Sequence, residues 1–504
     1  MRNPVHSNHA MVATSEPHAA LAGRLMFEQG GNAVDAAIAT AITLTVTESP
    51  SNGIGADAFA IVATGDKKYG ITSSGKSPQN LSYQAFSETG KVPRYGFKPI
   101  TVPGAVKLWK VLHERFGKLP FEVLFEPAIE LASKGYMIAP TVKESMTRAK
   151  EIYQKVLVED IHKPFLDTFF NQNLDQKYTL KDHAKTLSEI AQEPDSFYQG
   201  HLMQTMVDYF KEKGGYLTAE DFMTHEVIWQ EPLFIEAYGS KLYELPPNGQ
   251  GMIALKALSI YQHTKDSIHH EIESLKRAFV SGKKVMHGEM TALEIERYLD
   301  LNHSRIEAEK ISERAKHFDD PFLEDHGTVY LATSDQDIQV SFIQSNYMGY
   351  GSGIVVPGTG IALQNRGANF LLKKHPNQYA PGKRPYHTLM PGFIETPHGS
   401  GPLGVMGGFM QPQGHYQVFL NHVQKGMNIQ EALDVPRYHY DKGLKLDLEP
   451  NFDKRAMESL KEAGHEINTS QPVGLFGRGQ IILKTKEGLM GATEKRCDGT
   501  IEKR

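Results

Sequence analysis

Hydrophobic and polar positions divide the chain into three regimes. Between Ser15 and Gln29, Leu21/Leu25 and Ala22/Met26 recur at helical spacing, Pro17 stands in the first turn, and Gly30-Gly31 ends the run. This predicts a helix over 15–29. Asn32 then caps a second helix over 33–46 (AVDAAIATAITLTV), apolar or small on nearly every side, with Asp35 near its positive end. A helix without a polar face belongs inside the protein. After a glycine-bearing loop at 51–59 (SNGIGADAF), the run AFAIVAT at 58–64 predicts an apolar strand, 65–68 a turn, and 69–73 the returning strand of a hairpin.

From about Pro103 to Lys265, helical segments alternate with short loops. Residues 266–320 carry dense mixed charge, the pattern of solvated helical faces, and this stretch is expected at the periphery. His269 and His270, adjacent on one of these helices, point apart and are read as surface. Beyond Asp319-Asp320-Pro321 the text turns β-rich and glycine-rich. Thr328–Thr333 (TVYLAT) and Gln339–Gln344 (QVSFIQ) flank 334–338 as a second hairpin, and glycines cluster at 349–353, 358–360, 399–401 and 404–408. No tandem repeat is present.

Charge narrows the partners. With 54 basic against 59 acidic residues there is no general attraction for nucleic acid or anionic lipid, which leaves small molecules. The first twenty residues hold no secretory apolar run, and no stretch of about 18 apolar residues occurs, so a cytoplasmic protein without a membrane span is expected. The single cysteine, Cys497, excludes intrachain disulfides and cysteine metal clusters. Despite 22 histidines there is no H-E-x-x-H and no tight His/Asp cluster at helical ligand spacing, and neither metal nor cofactor is expected.

Two short stretches suggest chemistry. GITSSGKS at 70–77 matches G-x-x-x-x-G-K-[ST], but a phosphate loop needs a strand before it and a helix after it. Here Gly70 falls inside a hairpin strand, and Pro78 disfavours helix at Ser77, so a nucleotide site is the weakest reading. EDHGTVYLATSD instead places Thr328 after a glycine at the start of a strand. An interior threonine hydroxyl is a poor nucleophile, whereas one at a new N-terminus has its own α-amine as base, with a reference pKa of about 7.7–8.0. Gly327, lacking a Cβ, leaves its carbonyl open to the Thr328 hydroxyl.

DHGT before a strand, together with MVATSEPHAALAGRLMFEQGGNAVDAAIATAITLTVTESP and GTGIALQNRGANF, resembles the γ-glutamyltranspeptidase family of N-terminal-nucleophile hydrolases. The wording of VSFIQSNYMGYGSGIVVPGTG and GGFMQPQGH is similar to its cytoplasmic γ-glutamyltransferase-like or cephalosporin acylase branch. The resemblance implies an α+β fold, a four-layer αββα sandwich with a helical large-chain periphery. It also implies autocleavage between Gly327 and Thr328 into a large chain of 1–327 and a small chain of 328–504. Thr328 matches the nucleophile and Gly407-Gly408 the paired glycines of an oxyanion hole. Asn346 matches a substrate-holding asparagine. The hydroxyl expected just before it falls on Ser345, with Gln344 as rival. His387-Thr388 occupy the place of two serines that bind the substrate α-carboxylate.

Departures from the family pattern shift the substrate. Asn369 replaces the acidic residue that pairs with the γ-glutamyl ammonium, and Arg366 stands where a neutral amide is common. The usual carboxylate-binding arginine aligns with Ser74, with Lys76 close by on the same loop. A pocket with Arg366 and Lys76 but no acidic partner should take an acyl group bearing a carboxylate without requiring the ammonium. The implied partners are therefore a small amide, γ-glutamyl or dicarboxylic, with water or an amine as acceptor, and the assembly to look for is a homodimer of processed heterodimers. A non-catalytic member that never matures is the rival reading.

Overall fold

The computed structural model describes residues 2–318 and 327–504. The Asp319-Asp320-Pro321 boundary, and Asp325 and His326 of the DHGT motif, lie outside the described residues. Helix α1 (Pro17–Glu28) and helix α2 (Ala33–Thr47) fall where the pattern puts them. Asn32 and Asp35 form a reciprocal capping box, and every residue of α2 is buried.

Strand β1 (Asp57–Thr64) turns at Gly65-Asp66 into β2 (Lys67–Ser73), two residues earlier than the sequence suggests. No helix starts at Ser77, the next being a short 3-10 turn at Tyr83–Phe86, so the context for a phosphate loop is missing, and Gly70 pairs with Gln230 inside the sheet. Three strands at Ile228–Gln230, Leu233–Ala237 and Ser240–Glu244 interrupt the region read as helices and loops. LFIEA alternates in burial with period two, and Tyr238-Gly239 makes the turn, a strand signal too short to stand out among helices.

Within 266–320, helix α3 (Ile268–Val285) departs from the expected solvated faces, whereas the helices Ala292–Leu299 and Leu301–Glu309 are largely exposed as expected. The α3 residues from His269 to Phe279 are all buried. The charges are matched internally: Lys276 Nζ meets Glu273 at 2.5 Å with both side chains almost fully enclosed. His269 and His270 are likewise buried. His269 lies 2.9 Å from His465 and binds the Ser312 carbonyl at 2.8 Å, and His270 pairs with Ser267. Burial of polar groups is tolerated once they are hydrogen-bonded, which charge density in the sequence does not reveal. His269, Glu273 and His465 also place ligand-type atoms within 4.8 Å of one another, a grouping that includes a helical i,i+4 pair missed in the sequence. Its Glu273 is already committed to Lys276.

Strands β3 (Val329–Ser334) and β4 (Ile338–Ser345) form the second predicted hairpin. One seven-stranded antiparallel sheet runs Thr500–Lys503, Met11–Thr14, β3, β4, β1, β2, Ile228–Gln230; the other runs Val5–Ser7, Gly488–Thr493, Arg478–Thr485, β5 (Gly399–Met406), Gly392–Thr396, Ser240–Glu244, Leu233–Ala237. Phe59, Ile61, Tyr330 and Ile343 from the first sheet pack against Phe393, Met406 and Ile482 from the second. The opposite face of the first sheet, including Ala60, Val62 and Leu331, packs on α1 and α2. The outer face of the second meets α3 and its neighbours. This is the four-layer αββα sandwich. Among the described residues no helix is long and apolar enough to cross a membrane.

Candidate active site

Strand parity builds the site. On β3, Tyr330 faces the opposing sheet, so Thr328, two residues earlier, lies on the same side. On β4, Ile343 faces that side and therefore Ser345 does too, while Gln344 points the other way. The register sets Val329 opposite Gln344, which brings Thr328 alongside Ser345, and sets Ser345 opposite Asp57 at the start of β1. Thr328, Ser345 and Asp57 thus stand in a row across three adjacent strands.

Thr328 is buried, with Oγ1 2.8 Å from the Gly327 carbonyl oxygen and 3.2 Å from Ser345 Oγ. The Ser345 hydroxyl donates to the same carbonyl at 2.8 Å and accepts the Tyr347 N–H at 2.8 Å. Gln344 instead bonds Trp109, the Ala41 carbonyl and Asn52 on the helix side, so between the two rivals Ser345 meets the threonine. Asn346 is buried in the adjacent loop, its amide donating to the Tyr350 carbonyl at 3.3 Å. A Cβ on Gly327 would lie 3.0 Å from the Pro50 carbonyl and 3.1 Å from Ser51 Cα, so backbone crowding favours glycine there.

The second sheet contributes two neighbouring segments. Gly407 and Gly408 follow β5 with φ of 128° and 50°, conformations that favour glycine, while His387 and Thr388 precede the paired strand Gly392–Thr396. Because the two strands are antiparallel, both segments emerge at one end of the sandwich. Gln250 ties them together, its amide donating to the Thr388 and Gly408 carbonyls at 2.8 Å each.

Arg366 is fully buried. Its Nη1 donates to Thr388 Oγ1 at 2.9 Å, its guanidinium lies 4.1 Å from the centre of the Tyr347 ring, and Nε and Nη2 have no hydrogen-bond partner. Tyr347 in turn donates its hydroxyl to Asn369 Oδ1 at 3.2 Å, and Asn369 binds the Tyr386 carbonyl. A cavity of about 500 Å³ adjoins Asn369 and Tyr386, with Lys283, Lys284 and Lys373 in its lining.

The expectation of a pocket without an acidic partner is overturned. Asp57 Oδ2 lies 3.9 Å from Arg366 Nε and accepts from His387 Nε2 at 3.0 Å. His387 Nδ1 accepts the Leu389 N–H, which puts the ring proton on Nε2. Burial, reinforced by Arg366, holds His387 far below its ordinary pKa, so it is neutral. Burial pushes the Asp57 carboxyl up to about 7 against the pull of Arg366, and lowers Arg366 to about 10. In the sequence Asp57 reads only as part of a glycine-bearing loop. The available signal was its parity with Phe59 and Ile61. Lys76 is exposed, and among the described residues no hydrogen bond or ion pair joins it to this cluster. The cation that does reach the Ser74 loop is Arg384, whose Nε donates to the Ser74 carbonyl at 2.9 Å.

The family model described as gamma-glutamyltranspeptidase matches residues 19–503. The chain is 31% identical to the glutathione hydrolase-like YwrD proenzyme of Bacillus subtilis, over 99% of each chain. It is 29% identical to the oxamate amidohydrolase proenzyme of Klebsiella pneumoniae, over 98% of each. The crystal structure of cephalosporin acylase from Bacillus halodurans superposes with a TM-score of 0.94 at 42% identity, covering 100% of this chain and 97% of that one.

Proposed function

The chain belongs to the gamma-glutamyltranspeptidase family, a family of amide-bond hydrolases, transferases and acylases, and from that premise we propose that it is a self-processing amidohydrolase whose nucleophile is Thr328. The observation that carries this reading is the buried Thr328 hydroxyl 2.8 Å from the Gly327 carbonyl oxygen, with Ser345 donating to that same oxygen. Thr328 Oγ1 attacks the Gly327 carbonyl carbon, and the negative charge that develops on its oxygen is met by the Ser345 hydroxyl. The C–N bond then breaks, the Thr328 nitrogen takes up the proton given up by the attacking hydroxyl and leaves as an amine, and Gly327 remains as an ester on Oγ1. Water hydrolyses that ester, giving chains of 1–327 and 328–504. The word proenzyme in the names of the Bacillus and Klebsiella relatives supports such a step.

Once free, the Thr328 α-amine takes the proton of its own hydroxyl, which attacks the substrate amide. The amine product leaves with that proton, and water or a second amine accepts the acyl group. The N–H groups of Gly407 and Gly408 serve the tetrahedral oxyanion. Arg366, whose Nη2 has no hydrogen-bond partner and whose Nε faces Asp57 only at 3.9 Å, receives a carboxylate on the acyl chain, so the substrates are dicarboxylic monoamides such as glutaryl amides, or γ-glutamyl amides. Asn346 and Asn369 line the acyl chain. Thr388 orients the arginine through its hydrogen bond.

Intact mass of the purified protein tests the proposal. Two chains are expected from the wild type, and Thr328→Ala should give one chain without activity on any amide. A wild type that hydrolyses glutaryl or γ-glutamyl anilide while still a single 504-residue chain would overturn it.

A further inference from the structure

Arg366, the cation assigned above to the substrate carboxylate, has beside it a fully buried carboxyl group that would compete for it. Asp57 shares the row of Thr328 and Ser345 across adjacent strands, is fully buried, and sits 3.9 Å from the guanidinium assigned to the substrate carboxylate. On its other side it accepts from His387. An anion here partly neutralises Arg366 before substrate arrives; a neutral acid does not. In a water-poor pocket one such charge weighs heavily on a second carboxylate that must share the same arginine.

We propose that Asp57 is a specificity-determining residue. Protonated, it leaves the pocket positively charged and selective for acyl chains ending in a carboxylate. Ionised, it cancels Arg366 and lowers that selectivity, admitting uncharged or zwitterionic acyl chains on closer terms. This rests on the amidohydrolase reading above and adds to it the residue that sets the acyl-group class and the pH range over which it is set.

The groups around Asp57 make it the member that titrates near neutrality. His387 is held neutral, Arg366 and the more distant Arg384 remain cationic at neutral pH, Tyr198 is raised far above its usual value by burial, and the N–H groups of Gly75 and Gly104 face the carboxyl. Burial brings Asp57 to about 7. Substrate carboxylate and proton bind together here, so each favours the other, and affinity for the carboxylate must fall as pH rises through that value.

Processed wild-type enzyme tests this with three anilides: glutaryl, γ-glutamyl and pentanoyl, the last an uncharged analogue. The KM ratio of pentanoyl to glutaryl anilide removes the titration of the Thr328 amine, which both substrates share. That ratio is expected to fall roughly tenfold between pH 6 and 8.5. In Asp57→Asn it should stay high across the range, with the γ-glutamyl anilide losing ground to the glutaryl one. A ratio flat with pH in the wild type overturns the inference, as does an Asp57→Asn enzyme whose KM rises equally for all three, the signature of a scaffold residue. Turnover of none of the three anilides by the processed enzyme would instead remove the amidohydrolase reading, and this inference with it.

Discussion

The hydroxyl of Ser345 donates to the carbonyl oxygen of Gly327 at 2.8 Å across 18 residues of chain, and the register of two neighbouring strands is what brings them together. That contact aims a neutral donor at the atom on which charge accumulates when Thr328 attacks. Ser345→Ala should therefore slow autocleavage by about 100- to 1,000-fold while leaving the fold intact. A time course of chain separation on a denaturing gel, started from freshly synthesised protein, checks this. Gln344→Ala is the contrasting variant: its amide ties β4 to Asn52 and the Ala41 carbonyl, so it should lower Tm.

Gly327 is expected to tolerate no large side chain. A Cβ would come within 3.0 Å of the Pro50 carbonyl and 3.1 Å of Ser51 Cα, both backbone atoms that cannot swing aside. Gly327→Val must then move the very carbonyl that the threonine attacks. Cleavage should fall below a tenth of the wild-type rate, a displacement of about 1 Å being enough for losses of that order. Intact mass after prolonged incubation reads the outcome.

Arg366→Gln removes the cation but retains donors for Thr388. A charged hydrogen bond contributes about 1.5–3 kcal/mol, so KM for glutaryl anilide should rise between roughly tenfold and a hundredfold. Pentanoyl anilide, having no carboxylate to lose, should change much less. Equal losses on both substrates would mean that Arg366 supports the loop rather than the ligand.

The outline of the fold was legible because its strongest signals are local. A largely apolar or small-residue α2 behind an Asn32 cap and two strand hairpins, at 57–73 and 329–345, are each written within a short continuous stretch of chain. The choice of Ser345 over Gln344 was also within reach, since parity counted from Ile343 decides it. What the sequence hid depends on distant partners. Helix α3 reads as exposed until Lys276 is seen against Glu273 and His269 against His465. Asp57 reads as loop until His387, 330 residues away, and Arg366 close around it. For Lys76 the sequence gives only its proximity to Ser74, which does not say which side of the loop its exposed side chain takes.

Glu494 is enclosed between Arg437 at 2.9 Å and Arg496 at 2.7 Å, and Arg437 also donates to the carbonyls of Phe476 and Gly477, directly before Arg478. Burial by itself would raise the Glu494 carboxyl, but the two arginines outweigh it and hold the group down to about 2, against an ordinary 4.5. A carboxylate depressed in the folded state stabilises it fully above its unfolded pKa, and that contribution is lost as pH falls from about 4.5 toward 2. Glu494→Gln leaves Arg437 buried without its counter-charge, which should cost about 3 kcal/mol at neutral pH. The expected result is a Tm clearly below wild type at pH 7 and a gap that narrows as pH drops below 4, because the wild type loses there what the variant never had. A gap constant with pH, measured by thermal unfolding of both proteins between pH 2.5 and 7, would show that the arginines are held by their carbonyl contacts and not by this carboxylate.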